Sequence, residues 1–258
     1  MPAVGQGSCC QASAPATEGT SRVSMTHPLR WRSHLDPSAL ASGSLDVITR
    51  GAMTIGAAGD AVVACDYTEQ ARRRSAGLGA VTSLWLLDAV MTLPAGVPVR
   101  VADLSADVWA SISAAPRGVA VVDGGWVTRL LSPPLTVVAA VVCGAGWGRS
   151  LQRAGRFTPF AQRLLVLEKV PPSRLMWEAQ VAGVGVWVLR DGQLAEICPP
   201  EPFTQRYWKP AGWRFAERAY SASLSASPPP GWSPASAGRP ARTSTAGSGQ
   251  RQLAIPVK

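Results

Sequence analysis

The sequence predicts an α/β (α+β) fold, a central mixed sheet flanked by helices in one domain, with a polar tail at each end. Three observations predict it. The hydrophobic period changes from helical to strand-like near residue 118. The run Leu135 to Cys143 (LTVVAAVVC) is continuously apolar, as a strand covered on both faces must be. Helical and strand-like patterns then alternate after it.

Taken in order, residues 1–59 are rich in Ser, Ala, Gly, Thr and Pro and read as a disordered leader. The domain spans 60–220, with a helical part at 60–115, a sheet core at 116–200 and a Trp/Arg-rich terminal segment at 201–220. Asp66 to Arg74 starts as a helix, with Asp66 or Thr68 as cap and Glu69 in its first turn. Leu78 to Leu93 continues helically, and Pro94, Gly96 and Pro98 end it. Val99 to Val101 is a short strand, and Ser105 caps a helix to Ser113. Gly118 to Val122, the turn Asp123-Gly124-Gly125 and Trp126 to Leu131 read as a hairpin. Helix Trp147 to Phe157, strand Arg163 to Leu167 and a helix from Ser173 to Ala182, capped by Ser173, follow the central run. Val184 to Leu189 and Gln193 to Cys198 pair around Asp191-Gly192. Tyr207 to Tyr220 is a last helical or turn-rich segment, and 221–258 read as a disordered tail. The expected core is the three strands from Gly118 to Cys143, with the helix and strand that follow.

The net charge of +9 points toward an acidic partner such as nucleic acid. Its distribution weakens that inference, because 60–220 holds 17 basic against 13 acidic residues. The abundance of Arg, Ala, Gly and Pro also matches a GC-rich coding sequence. Five Cys occur without a CxxC pair, and both His lie before residue 60, so no Cys/His metal site is expected. No His in the domain and no GxSxG elbow argue against a Ser/His or Cys/His mechanism. No apolar run reaches the roughly 18 residues of a membrane span, and the chain reads as cytoplasmic. Nothing in it fixes an oligomeric state.

Three strands, a helix, a strand and a helix, with Trp147, Ala154-Gly155-Arg156-Phe157, Phe160-Ala161, Leu164 to Leu167 and Gly183-Val184-Gly185-Val186 in sequence, resemble the restriction-endonuclease-like (PD-(D/E)xK) superfamily over about residues 118–200. That resemblance implies an acid on the second strand and a Glu-x-Lys on the third, converging on Mg²⁺ for phosphodiester hydrolysis. By spacing to Trp147, the third-strand positions fall at Val141 and Cys143, and the acid nearest the second strand is Asp123, in a turn where Asp is ordinary. The resemblance therefore implies a degenerate member, with cleavage not expected and a binding or regulatory role remaining, for nucleic acid or another protein. No cofactor or metal is expected on this reading.

The same stretch supports another reading. A strand, the turn Gly144-x-Gly146-x-Gly148, a helix, a strand and Glu168 follow the plan of a dinucleotide-binding unit. The glycine amides would hold phosphate and Glu168 the ribose. Arg149 stands where the third glycine of that pattern belongs. Packing of the helix close to the sheet would also account for the glycines. A third reading is a protein-interaction domain without a small-molecule site. Arg206, Lys209, Trp213 and Arg214 interleave cations with an aromatic and are candidate nucleic-acid contacts, against the alternative that Trp213 docks the segment. Arg72-Arg73-Arg74 reads as a solvated charge run on a helix end.

Overall fold

The main sheet is built around the run that the sequence marks most strongly. A computed structural model describes residues 40, 45–48, 59–144, 146–191 and 193–225. Most of the expected leader and all of the expected tail beyond residue 225 lie outside the described residues. The strands are β1 (Asp46–Ile48), β2 (Asp60–Cys65), β3 (Pro98–Arg100), β4 (Ala120–Asp123), β5 (Trp126–Arg129), β6 (Leu135–Cys143), β7 (Gln162–Leu167), β8 (Gly185–Arg190) and β9 (Gln193–Cys198). The helices are α1 (Tyr67–Ser75), α2 (Leu84–Met91), α3 (Ala106–Ser113), α4 (Trp147–Gly155), α5 (Ser173–Val181) and α6 (Pro210–Ser225).

Six strands form a mixed sheet in the order β1-β2-β6-β7-β8-β9. β1, β2 and β6 are successively antiparallel, β6, β7 and β8 run parallel, and β9 returns antiparallel. The apolar character of β6 follows from this place. Val137, Ala140 and Val142 face Phe157, Phe215 and Tyr220 on one side. Ala139 and Val141 face Leu164, Trp187 and Leu40 on the other. Burial of each such Val or Leu contributes about 1.5–3 kcal/mol, so β6 anchors both layers. Helices α4 and α6 both pack on β6, and α5 on β8.

The expected three-strand core is corrected. β4 and β5 do not join β6. They pair with β3 in a separate three-stranded sheet of order β3-β5-β4. Val127 of that sheet packs with Ala89, Leu93 and Ile112 of α2 and α3. A hairpin signal specifies its own turn, and Gly124 and Gly125 both take positive φ there (53° and 83°). It does not specify which sheet the hairpin joins.

Other boundaries also move. The sheet reaches back to Asp46, inside the expected leader. The second helix begins at Leu84 with Ser83 as cap, not at Leu78. Gly77 at φ 67° ends α1, and Leu78 N–H donates to Arg73 O, so 78–83 leave the helix. α5 has Pro172, not Ser173, at its cap position, with no side-chain cap bond. The terminal segment is one continuous helix from Pro210 to Ser225. Among the described residues no helix is long and apolar enough to cross a membrane.

Candidate functional site

The strand order sets a carboxylate beside Val141. The second strand of the main sheet is β2, and it opens with Asp60, directly paired with Val141. Sequence reasoning missed Asp60 because DAVVAC was not read as a strand. Its signal was the β-branched pair Val62-Val63 ahead of the Asp66 cap. Asp60 is buried, as is Val141, while Cys143 is partly buried. Asp123 lies elsewhere, exposed at the end of β4 in the small sheet, so the structure does not bring it together with Val141 and Cys143.

The residues at this place do not fit Mg²⁺. A hard cation asks for several oxygen ligands. Here one carboxylate stands beside a valine, with a thiol further along β6. Among the described residues no group of three His, Cys, Asp or Glu is placed to hold a metal. Cys65, at the far end of β2, offers no nucleophile either. Burial pushes its thiol up to about 12, so it stays protonated at neutral pH.

The glycine turn lies at the carboxyl end of β6 and leads into α4. Cys143 pairs with Val166, which brings exposed Glu168, just past β7, to the same end of the sheet. The close-packing explanation holds at Gly144, where a Cβ would meet Ser150 Oγ at 2.8 Å. At Gly146 and Gly148 a Cβ would meet nothing within 4 Å among the described residues.

The terminal segment divides. Trp213 is fully buried, and its Nε1 donates to Glu217 Oε1 at 3.0 Å. Arg129 lies over its ring at 4.8 Å. Trp213 therefore docks the helix and presents no face to a base, which corrects its place among nucleic-acid contacts. Arg206 and Lys209 are exposed, with Lys209 Nζ 5.4 Å from the Tyr207 ring centroid. Arg214 is half-buried, and its Nε has no hydrogen-bond partner.

The expected solvated run on α1 is also corrected, because Arg73 is fully buried. Its Nη1 donates to Glu217 Oε2 at 2.8 Å, its Nη2 to Glu217 Oε1 at 2.7 Å and to Ser132 O at 2.6 Å, and its Nε to Glu69 Oε1 at 2.7 Å. Val81 N–H donates to Glu217 Oε2 at 2.8 Å. Burial alone would raise the Glu69 carboxyl, but hydrogen bonds from Arg72 and Arg73 outweigh it and hold it below the ordinary value of 4.5. Burial would likewise favour neutral Arg73, and Glu217 then Glu69 reverse that and keep it charged. For Arg129, burial outweighs the opposing pull of Glu69 and moves it down. The donors and acceptors of this network satisfy one another, so it is a fastening between α1, α6 and the 78–83 and 132–134 segments.

One concavity is a groove of about 600 Å³ between residues 77–86 and the end of α3, with exposed Trp85 among its lining residues. No ionisable side chain lines it. Comparison with protein families, with characterised proteins and with solved structures gives no match in any of the three.

Proposed function

We propose that this protein is a non-catalytic binding module built on a restriction-endonuclease-like core, and that its ligand is nucleic acid. The observation that carries the reading is the order within the main sheet. Three successive antiparallel strands (β1, β2 and β6), then α4, β7 and α5, follow the plan of that core, with 67–134 inserted between its second and third strands. The third strand is apolar at Val141 and Cys143, where hydrolysis would need Glu and Lys, and only Asp60 remains. Binding is then the role such a core retains. The free thiols Cys65 and Cys198 suit a reducing compartment such as the cytoplasm. A gel-shift series over 50 to 200 mM salt, with a cleavage assay in Mg²⁺ beside it, tests the proposal at roughly the range where phosphate contacts respond most. Salt-sensitive retardation without cleavage is expected. No retardation at the lowest salt ends the nucleic-acid reading, and cleavage ends the non-catalytic one.

A second reading, nucleotide binding at the glycine turn, is favoured by the open space over Gly146 and Gly148 and by Glu168 at the same sheet end. Thermal stabilisation by millimolar nucleotide, lost in Gly146→Asp, would support it. No shift across a nucleotide panel would remove it.

A further inference from the structure

We infer that residues 29–39, ahead of Leu40, dock on the helix-free face of the main sheet, with Leu29, Trp31 and Leu35 against it. They would thereby cover the side on which Asp60, Val141 and Cys143 lie. This docking does not depend on the nucleic-acid reading above.

The two faces of the sheet are covered differently. On one face, α4 and α6 supply Ala154, Phe215, Ala216, Ala219 and Tyr220, and α5 supplies Ala179. On the other, Val62, Ala139, Val141, Leu164, Val166 and Trp187 pack together, and among the described residues no helix contributes to the cluster. All of them are nevertheless buried. From outside the strands this cluster takes Leu40 and Leu45, both from the N-terminal stretch, so the chain already enters the face from that direction. Trp187 also keeps a buried Nε1 with no hydrogen-bond partner. A buried N–H left unpaired is costly, and a carbonyl of a docked segment would satisfy it.

Charge is segregated between the same two faces. Side chains alternate along a strand. Trp187 is paired with Glu196 of β9, and Glu168 follows Val166 by two residues, which sets both acids on the helix-free side. Both are exposed. Asp60 shares that side and is already engaged. Arg163, Lys169 and Arg190 fall on the alternate positions and so on the helical side, where Arg163 bonds Thr158 and Glu201. No base of β2, β6, β7, β8 or β9 is set on the helix-free side.

The sequence ahead of Leu40 has the complementary make-up. From residue 29 to 35 it reads LRWRSHL, with Leu29, Trp31 and Leu35 on one alternate set and Arg30, Arg32 and His34 on the other. A segment of that pattern lays its apolar side chains on a sheet, while long arginines bend toward acids at the rim. Its length suffices. The chain from Trp31 to Leu40 spans up to about 30 Å when extended, and the sheet from β2 to β9 is about 20 Å wide at ordinary strand spacing. A second copy or a foreign protein would compete with a segment tethered beside the face through Leu40, whose effective concentration is roughly millimolar.

The test uses the full chain carrying Trp31→p-benzoylphenylalanine, a photo-reactive side chain, with adducts mapped by peptide mass spectrometry. Adducts within one chain are expected on residues 164–168, Trp187 or residues 194–196. Adducts elsewhere in the chain, or none, overturn the docking, and adducts that join two chains overturn it in favour of a second copy. Without the photo-reactive group, W31A/L35A should lower the urea midpoint by about 1 M, as the loss of buried apolar groups does. It should also raise the binding of a hydrophobic dye. The control W232A, in the C-terminal stretch, should change neither. An unchanged midpoint in W31A/L35A overturns the docking. Should W31A/L35A not fold, R30E/R32E in the photo-reactive chain should cut the adduct yield by about half at low salt and by less at about 1 M salt. An equal yield there removes the role given to Glu168 and Glu196 and overturns the proposal.

Discussion

α1 brings three arginines to the protein and α4 two, and the two helices differ in where acid lies relative to them. On α1, Arg72 grips Glu69 with Nε and Nη2, each at 2.7 Å, and Arg73 is enclosed between Glu69 and Glu217. Only Arg74 of that run is exposed. On α4, no acid lies within the helix, and Arg149 is exposed while Arg153 is half-buried. A run of like charge therefore has no fixed meaning. Its role depends on where the counter-charge lies, and for Arg73 the decisive partner is 144 residues away. Local sequence reasoning cannot see that distance.

The sharpest way to break this contrast is to remove the distant partner. Glu217→Gln leaves Arg73 with Glu69 and a backbone carbonyl and also weakens the acceptors of Val81 N–H and Trp213 Nε1. Removing one partner of a buried ion pair costs about 3–5 kcal/mol, a large share of a typical domain's stability. Urea denaturation should therefore show a marked fall in midpoint. A shift comparable to that of a surface substitution would mean that the α1 arginines are not fastened as described. Replacing both members by apolar residues need not cost as much, since it leaves no unpaired charge between them.

A smaller effect should follow from pH. The folded Glu69 carboxyl is held below its unfolded value of 4.5. A depressed carboxyl contributes stability above the unfolded value and loses it as pH falls through the folded one. Stability should thus decline below about pH 4.5, and Glu69→Gln should flatten that limb in pH-dependent denaturation. An identical acid limb in the variant would show that Glu69 does not couple folding to protons.

How much of this was legible depends on what each element needs. The limits of β6, the Asp66 and Ser105 caps and the docking of Trp213 rest on local pattern or ordinary burial, and each could be read from a few residues. The sheet to which the β4–β5 hairpin belongs could not. Its turn is local, but its pairing with β3 depends on the path of the chain around α3. β2 was hidden because a six-residue strand beside a clear helix cap carries little periodicity of its own. Missing β2 meant missing Asp60, which the register sets beside Val141.

The smallest expected effect is the complement of the Glu217 result. Arg149→Gln should change folding stability by no more than about 0.5 kcal/mol, as for surface substitutions generally. Its side chain is exposed on the first turn of α4, where a positive charge also opposes the helix dipole. A slight stabilisation at low salt would fit that placement. A cost of several kcal/mol would mean that Arg149, like Arg73, serves the fold. Arg149 would then be a fastening too, and the distinction between it and Arg73 would fail. Thermal and urea melts of the single variant decide this without reference to any ligand.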